Sequence, residues 1–96
     1  MSYLDDDADL IRSCVPDGHS VPEGADDLFV LYAVLMRAKG EETQASDVHD
    51  AWSAWMSRSE PGHESIRPFD ELTASVQSED TPFLVAIHRA AARHRQ

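Results

Sequence analysis

The segment from residue 26 to residue 39 constrains the fold of this chain more than any other part of it. Apolar side chains would cover almost the whole circumference of a helix formed there: Leu28, Phe29, Val30, Leu31, Tyr32, Val34, Leu35 and Met36. Such a helix lies either at the centre of a core or in an interface between chains. Asp26 suits its N-cap, and Gly40 can supply a left-handed stop after the basic end. The pattern therefore predicts a central helix, part of whose surface serves a homodimer or a partner protein.

Helical patterns and helix breakers account for the rest of the chain. Residues 5–13 suit a short amphipathic helix, residues 45–57 a third helix, and residues 74–78 a short helical turn. The last helix begins at Asp80 or Thr81, either of which can cap it, and carries basic residues at its end. No segment gives a convincing strand, and a length of 96 residues suits one core. The sequence therefore predicts an all-α, compact single-domain bundle of four or five helices over residues 1–96.

A turn built on Pro68 interrupts the second half of the chain. Proline cannot sit inside a helix, so residues 68–72 form a turn that brings Phe69 and Leu72 onto the core. We expect these two side chains to share that core with apolar residues of three helices, namely Leu31, Leu35, Trp52, Phe83 and Ile87.

The charge of the chain excludes some classes of partner. Its 18 acidic and 8 basic residues give a net charge of −10, which argues against binding to a nucleic-acid backbone. Most of the acid lies in the first half, where solubility and favourable charge at helix N-termini are the simplest explanation and a basic partner is the alternative. The single cysteine, Cys14, excludes an internal disulfide and suggests a reducing compartment. An acidic start unlike a secretory signal, and no apolar run near about 20 residues, predict a cytoplasmic protein without membrane insertion.

The motifs of common enzymes and metal sites are absent from the sequence. It contains no glycine-rich phosphate loop after a strand and no Gly-x-Ser-x-Gly elbow. Three serines lie near His63, but closeness in sequence does not make a nucleophile and a base. The spacing of the histidines does not assemble three or four ligands for zinc or iron. We therefore expect no enzymatic activity, no metal and no cofactor.

Two tryptophans on the third helix allow two interpretations. Trp52 and Trp55 recur at helical spacing and are most simply core residues. A tryptophan ring at a pocket edge could instead stack on a planar ligand or anchor a partner. Arg67 could pair with a neighbouring acid or contact an anion. The candidate binding surface is the place where loop and aromatic helix meet, and it consists of His49, Trp55, His63, Glu64 and Arg67.

Two motifs resemble those of a known family. His49-Asp50-Ala51-Trp52 is similar to the histidine-x-x-tryptophan start of the ryanodine-receptor-type (RyR) repeat, and residues 68–72, Pro-Phe-Asp-Glu-Leu, are similar to its proline-aromatic turn. On this resemblance, residues 45–92 are the RyR-repeat-like part and residues 1–44 are an N-terminal helical extension. The whole chain also resembles a small family of actinobacterial and actinobacteriophage proteins that carry His-Glu-Ser-Ile-Arg-Pro-Phe. These resemblances imply a helical fold and a phage or prophage origin, and they imply no reaction.

Two functions from different classes follow from these features. The first is a non-enzymatic phage-type or actinobacterial interaction protein that binds and modulates a host protein, in the host cytoplasm if a phage encodes it. The second is a sensor or sponge for a small ligand such as a nucleotide or second messenger. The first function predicts an exposed apolar patch, and the second predicts a closed pocket with Arg67 and aromatic residues at its rim.

Overall fold

The chain folds as an all-α single domain, as the sequence predicts. A computed structural model describes residues 2–94, and that part of the chain contains no strand. Its α-helices are α1 (Tyr3–Ser13), α2 (Asp26–Lys39), α3 (Ala45–Met56), α4 (Ala74–Ser78) and α5 (Thr81–His94). Two short 3-10 turns, Gly40–Glu42 and Phe69–Glu71, precede α3 and α4 respectively.

The helix α2 lies at the centre of the core. Its buried residues are Leu28, Phe29, Tyr32, Ala33 and Met36, and α1, α3 and α5 pack around it. The other buried apolar residues of the core are Ala8, Ile11, Cys14, Ala25, Val48, Ala86, Ile87, Ala90 and Ala91. One narrow face of α2 stays open to solvent, where the side chain of Val34 is 47% exposed. The chain's own helices therefore cover most of the apolar surface that made this segment prominent.

Local capping explains where the first helices begin. Ser2 and Asp5 form a reciprocal capping box, in which the Asp5 carboxylate accepts from the Ser2 amide at 2.9 Å. The helix α1 thus begins two positions before the expected residue 5, because the box satisfies free amides of the first turn. The expectation that Asp26 caps α2 is wrong: Ala25 is the N-cap, and Asp26 is the first helical residue. The Asp26 carboxylate accepts from Arg12 Nη2 at 2.7 Å instead, which joins α1 to α2.

The proline turn lies at the edge of the bundle. Ile87 is fully buried, and Leu35, Trp52 and Phe83 pack half-buried against the core, in line with the expected core. However, Phe69, Leu72 and Leu31 are only half-buried and lie outside the core cluster. The turn that carries Phe69 packs mainly against α3, at the edge of the bundle.

A buried carboxylate joins three helices at the end of the bundle that is opposite the N-terminus of α5. Asp7 of α1 is 5% exposed and accepts from Arg37 Nε of α2 at 2.5 Å. His94 of α5 lies 3.5 Å from the other Asp7 oxygen. Arg37 also lies over the ring of Tyr3, 4.5 Å from its centroid. Because a buried charge is tolerated only when it is paired, this cluster fixes how the ends of α1, α2 and α5 meet.

Two further observations complete the fold. Gly40 ends α2 with φ of +56°, a backbone conformation that glycine adopts without the strain of a side chain, as expected from the sequence. Within residues 2–94, no helix has the length and apolar character needed to span a membrane.

Candidate functional site

A concavity of the domain lies where two loops and α4 meet the N-terminal halves of α2 and α5 and one face of α3. We call it the Asp80 cavity. It has a volume of about 560 Å³ and is lined by His19, Ser20, Pro22, Leu28, Tyr32, His49, Trp52, His63, Ser65, Val76, Ser78, Glu79, Asp80, Pro82 and Phe83. This volume falls in the range of about 300 to 1,000 Å³ that is typical of small-molecule sites.

His49 is the buried polar centre of the cavity. It lies on α3 with 3% of its surface exposed, because its helical position faces the core beside Val48. Its Nε2 lies 2.8 Å from the backbone carbonyl oxygen of Arg67 and 3.3 Å from the Ser53 hydroxyl, one helical turn further along α3. Its Nδ1 lies 3.6 Å from a carboxylate oxygen of Asp80. The two ring nitrogens therefore contact groups from three different parts of the chain.

These contacts determine which nitrogen of His49 carries a proton. A carbonyl oxygen only accepts, so the 2.8 Å contact requires that Nε2–H donates to Arg67. The Nδ1 atom then lies on the side of the Asp80 carboxylate, 3.6 Å from its nearest oxygen. Ser53, His49 and Asp80 have the residue types of a catalytic triad, but Nε2 is not free to accept the Ser53 proton. The arrangement therefore lacks the base that a serine nucleophile needs.

Asp80 occupies a capping position without capping its helix. Its backbone carbonyl accepts from the amides of Phe83 at 3.2 Å and Leu84 at 3.0 Å, at the start of α5. In the structure of residues 2–94 its carboxylate accepts no hydrogen bond from α5 and faces His49. Burial raises the pKa of the Asp80 carboxyl to about 6, an effect that His49 partly opposes and the nearby charge of Glu79 increases. Asp80 is thus a carboxylate held in the cavity, where it is harder to ionise than in water.

Trp52 forms the aromatic floor beside these polar groups. It lies one turn after His49 on α3, and the two rings stack with centroids 5.6 Å apart. The ring of His63, from the loop after α3, meets Trp52 nearly at right angles with centroids 5.1 Å apart. The Nδ1 atom of His63 accepts from the Ser65 amide at 3.0 Å, which orients the imidazole. Trp52 remains half-buried, so part of its ring faces the cavity.

The opposite wall combines two rings from different helices. The ring centroids of Tyr32 on α2 and Phe83 on α5 are 5.9 Å apart. Phe83 also meets Phe29 of the core, with centroids 6.2 Å apart, so this wall is continuous with the core. Burial, and then the negative charge of Asp80, raise the pKa of the Tyr32 hydroxyl above its ordinary value. Tyr32 therefore stays neutral where it lines the cavity.

The residues expected from sequence to form the binding surface divide into two groups. His49 and His63 line the Asp80 cavity and contact Trp52 from two sides. Trp55 packs half-buried against the core and does not line the cavity. Glu64 and Arg67 are exposed outside the lining, and Arg67 takes part through its backbone carbonyl rather than its guanidinium.

Sequence reasoning missed residues that complete the cavity, above all Asp80 and Phe83. An aspartate immediately before Thr81 and Pro82 is typical of a helix start, so Asp80 was interpreted only as a helix cap and not as a residue that lines a cavity. Phe83 was expected to serve only the core. Within the described part of the chain, no group of three or more histidine, cysteine, aspartate or glutamate side chains is arranged to hold a metal ion.

The fold and the cavity define an all-α domain with a half-enclosed aromatic and polar cavity at one end. The chain belongs to the family described as a domain of unknown function (DUF7701), which matches residues 2–92. This match includes both the first 44 residues and the part with the RyR-like motifs. No curated protein and no solved structure matches the chain.

Proposed function

We propose that this chain is a non-enzymatic binding domain for a small molecule and that the Asp80 cavity is its binding site. The observation that carries this proposal is the convergence of polar groups on an aromatic-walled cavity of about 560 Å³. Asp80 and His49 supply the polar atoms, while Trp52 and Phe83 supply flat apolar surface. A few fixed polar groups within an apolar lining are the usual composition of a ligand site.

The hydrogen bonds of His49 support a binding role over a catalytic one. Its Nε2 atom donates to the Arg67 carbonyl at 2.8 Å, and its Nδ1 atom faces Asp80 at 3.6 Å. Nε2 is the ring nitrogen nearest the Ser53 hydroxyl, and because it already carries a proton it cannot accept one from Ser53. A histidine held in this way positions the loop that carries Arg67 against α3 and shapes the cavity.

The charge of the lining favours a neutral or cationic ligand over a nucleotide. Among residues 2–94, the charged side chains that line the cavity are the acids Glu79 and Asp80, and neither lysine nor arginine is present there. Arg67, the residue expected to contact an anion, lies outside the lining. A phosphate group in the cavity would meet two carboxylates without a lysine or arginine to pair with it.

The two tryptophans give the test of this proposal an internal control. The chain contains two tryptophans, and Trp52 lines the cavity whereas Trp55 does not. In two-dimensional NMR of the 15N-labelled chain, each indole N–H gives one resonance. We expect fragments from a chemically broad set to shift the Trp52 resonance in a saturable way and to leave the Trp55 resonance in place. If no fragment of any charge moves the Trp52 resonance, or if both resonances always move together, the cavity is not a ligand site.

A protein partner is a second proposal, and the open face of α2 favours it. Val34 is 47% exposed at the middle of this helix, next to the half-buried Val30, and Tyr3 is 60% exposed. This face could bind a host protein or a second copy of the chain through the helix Asp26–Lys39. Analytical ultracentrifugation of the wild type and Val34→Asp tests self-association: a dimer that Val34→Asp dissociates supports it. A wild type that stays monomeric at the highest soluble concentration leaves only a different protein as partner.

The relation to the RyR repeat and an actinobacterial or phage origin are also proposals. The motif residues support the first because they pack together: the rings of His49 and Phe69 are 6.1 Å apart, and His49 donates to the carbonyl of Arg67 just before the proline turn. An experimental structure whose residues 45–92 superpose on a RyR repeat would support this relation. A cytoplasmic location, in the host if a phage encodes the chain, belongs to the same proposal.

A further inference from the structure

The side chain of Asp80 shows an unusual choice of partner. The side chain of an aspartate at the residue before a helix normally accepts from amides of the first turn, which stabilises the helix. Here the carbonyl of Asp80 accepts the helix amides, while the carboxylate faces the cavity at 3.6 Å from His49 Nδ1. That distance is longer than a hydrogen bond, so a carboxylate oxygen can still accept from a ligand. Asp80 therefore presents a negative acceptor to whatever occupies the cavity.

We propose that the Asp80 cavity binds an organic cation, namely a protonated primary amine on a flat apolar body. The ammonium donates to the Asp80 carboxylate, and the apolar body lies against Trp52 and Phe83. This inference rests on the proposed ligand-binding function and specifies the chemical class of the ligand.

The charges around the cavity agree with a cationic ligand. Glu79 and Asp80 are both acidic, the described lining contains no lysine or arginine, and the whole chain carries a net charge of −10. The N-terminus of α5 favours negative charge, but Asp80 itself already supplies that charge. A neutral ligand would leave the carboxylate partly desolvated without a full counter-charge, whereas an ammonium supplies both a charge and three donors.

The aromatic walls agree with the same class of ligand. Trp52 from α3 and the Tyr32–Phe83 pair from α2 and α5 line the cavity together with Asp80. A cation within about 6 Å of such ring faces is stabilised by their quadrupoles, and this stabilisation increases when water is excluded. A flat apolar body attached to the ammonium would bury aromatic surface against the same rings.

The Asp80 carboxyl is harder to ionise in the cavity than in water, and this gives the binding a pH dependence. The groups that face Asp80 are His49 on α3, Tyr32 on α2 and the adjacent Glu79, and His63 of the loop after α3 lines the same cavity. An ammonium needs the ionised Asp80 carboxylate as its acceptor, so binding at low pH releases the proton of this carboxyl to the solvent. The apparent affinity therefore rises as the pH rises from about 5 to about 7.5.

The test uses three probes of nearly equal size and different charge: benzylamine, benzyl alcohol and benzoate. Titration calorimetry and the Trp52 indole resonance report their binding. We expect benzylamine to bind about tenfold more tightly than benzyl alcohol at pH 7.5, and benzoate to bind most weakly. Asp80→Asn should remove the preference for benzylamine. Asp50→Asn is the matched control, because Asp50 is an exposed carboxylate on α3 beside His49, and it should keep the preference.

Each alternative outcome has a defined meaning. If benzyl alcohol shifts the Trp52 resonance as strongly as benzylamine, the cation inference is wrong and the ligand-binding function stands. If Asp80→Asn keeps the preference while its thermal melt stays cooperative, Asp80 is not the partner of the cation, and the inference is wrong as well. If none of the probes, and no fragment of any charge, moves the Trp52 resonance, both the inference and the proposed function are wrong.

Discussion

Replacing Asp80 by asparagine should change how the stability of the domain depends on pH. Burial raises the pKa of this carboxyl from 3.8 to about 6, so the folded chain binds more protons than the unfolded chain between these two values. A raised pKa in the folded state stabilises the fold below the lower value, and this stabilisation is lost as the pH rises through the higher one. An asparagine side chain at this position would keep the shape of the aspartate and could not titrate. The difference in unfolding free energy between wild type and Asp80→Asn should therefore move in favour of the variant as the pH rises.

The size of this change follows from the pKa and the position of the group. A pKa that rises from 3.8 to about 6 corresponds to about 3 kcal/mol, at about 1.4 kcal/mol for each factor of ten in the proton dissociation constant. The carboxylate lies at an open cavity where water screens it, so about half of this, roughly 1.5 kcal/mol, is the expected change. His49, Tyr32 and Glu79 remain in both proteins, and comparing the two proteins removes most of their separate contributions.

Urea denaturation at a series of pH values from about 4 to about 7.5 measures this difference directly. Asp50→Asn provides the control, because its exposed carboxylate should give a difference of less than about 0.5 kcal/mol at every pH. A wild type that gains stability relative to Asp80→Asn as the pH rises would refute the reasoning. Such a result would mean that the ionised carboxylate is the better partner for His49.

The other predictions concern packing and pairing. Phe29→Ala should lower the free energy of unfolding by about 3 to 5 kcal/mol because Phe29 is fully buried. Phe69→Ala should lower it by about 1 to 2 kcal/mol because the proline turn is only half-buried, and equal losses in urea denaturation would contradict this order. Asp7→Ala should lower the free energy of unfolding by about 1 to 3 kcal/mol, since it leaves the Arg37 side chain without its carboxylate partner. An unchanged free energy of unfolding would show that solvent replaces that ion pair. Arg67→Ala should change the free energy of unfolding by less than about 0.5 kcal/mol and leave benzylamine binding unchanged, because Arg67 contacts His49 through its backbone. A loss of binding in calorimetry would show instead that the guanidinium takes part in the binding site.

The helices of this chain were predictable because their signals are local. The apolar pattern of residues 26–39 and the glycine that follows gave α2 its observed bounds. The buried state of Asp7 was not predicted, although this residue lies four positions before Ile11 on one face of α1. A run of aspartates at a helix start instead favours the interpretation that all of these carboxylates are exposed to solvent. Only the distant partner, Arg37 on another helix, distinguishes the one buried carboxylate from its neighbours.

The candidate site was less predictable because its contacts join distant parts of the chain. His49 and His63 were identified from sequence because polar loop residues follow an aromatic helix. The partner of His49 is Asp80, 31 positions further along the chain, and no local pattern indicates that a capping residue turns its carboxylate away from its own helix. Arg67 was selected for its guanidinium side chain, but it contacts His49 through its backbone carbonyl, a group that every residue has. The sequence therefore does not indicate which backbone carbonyl accepts the hydrogen bond from His49.

The reactivity of the buried cysteine can report local opening of the domain. Cys14 follows α1 with 3% of its surface exposed, and Arg89 of α5 donates to its carbonyl at 3.4 Å. A thiol in this position reacts with an aromatic disulfide reagent only in molecules where the contact between the end of α1 and α5 has opened. Since the chain contains a single cysteine, the rate of this reaction measures that opening without any labelling site being introduced. Comparing the rate with and without benzylamine would reveal whether a ligand in the cavity also slows the opening between the end of α1 and α5.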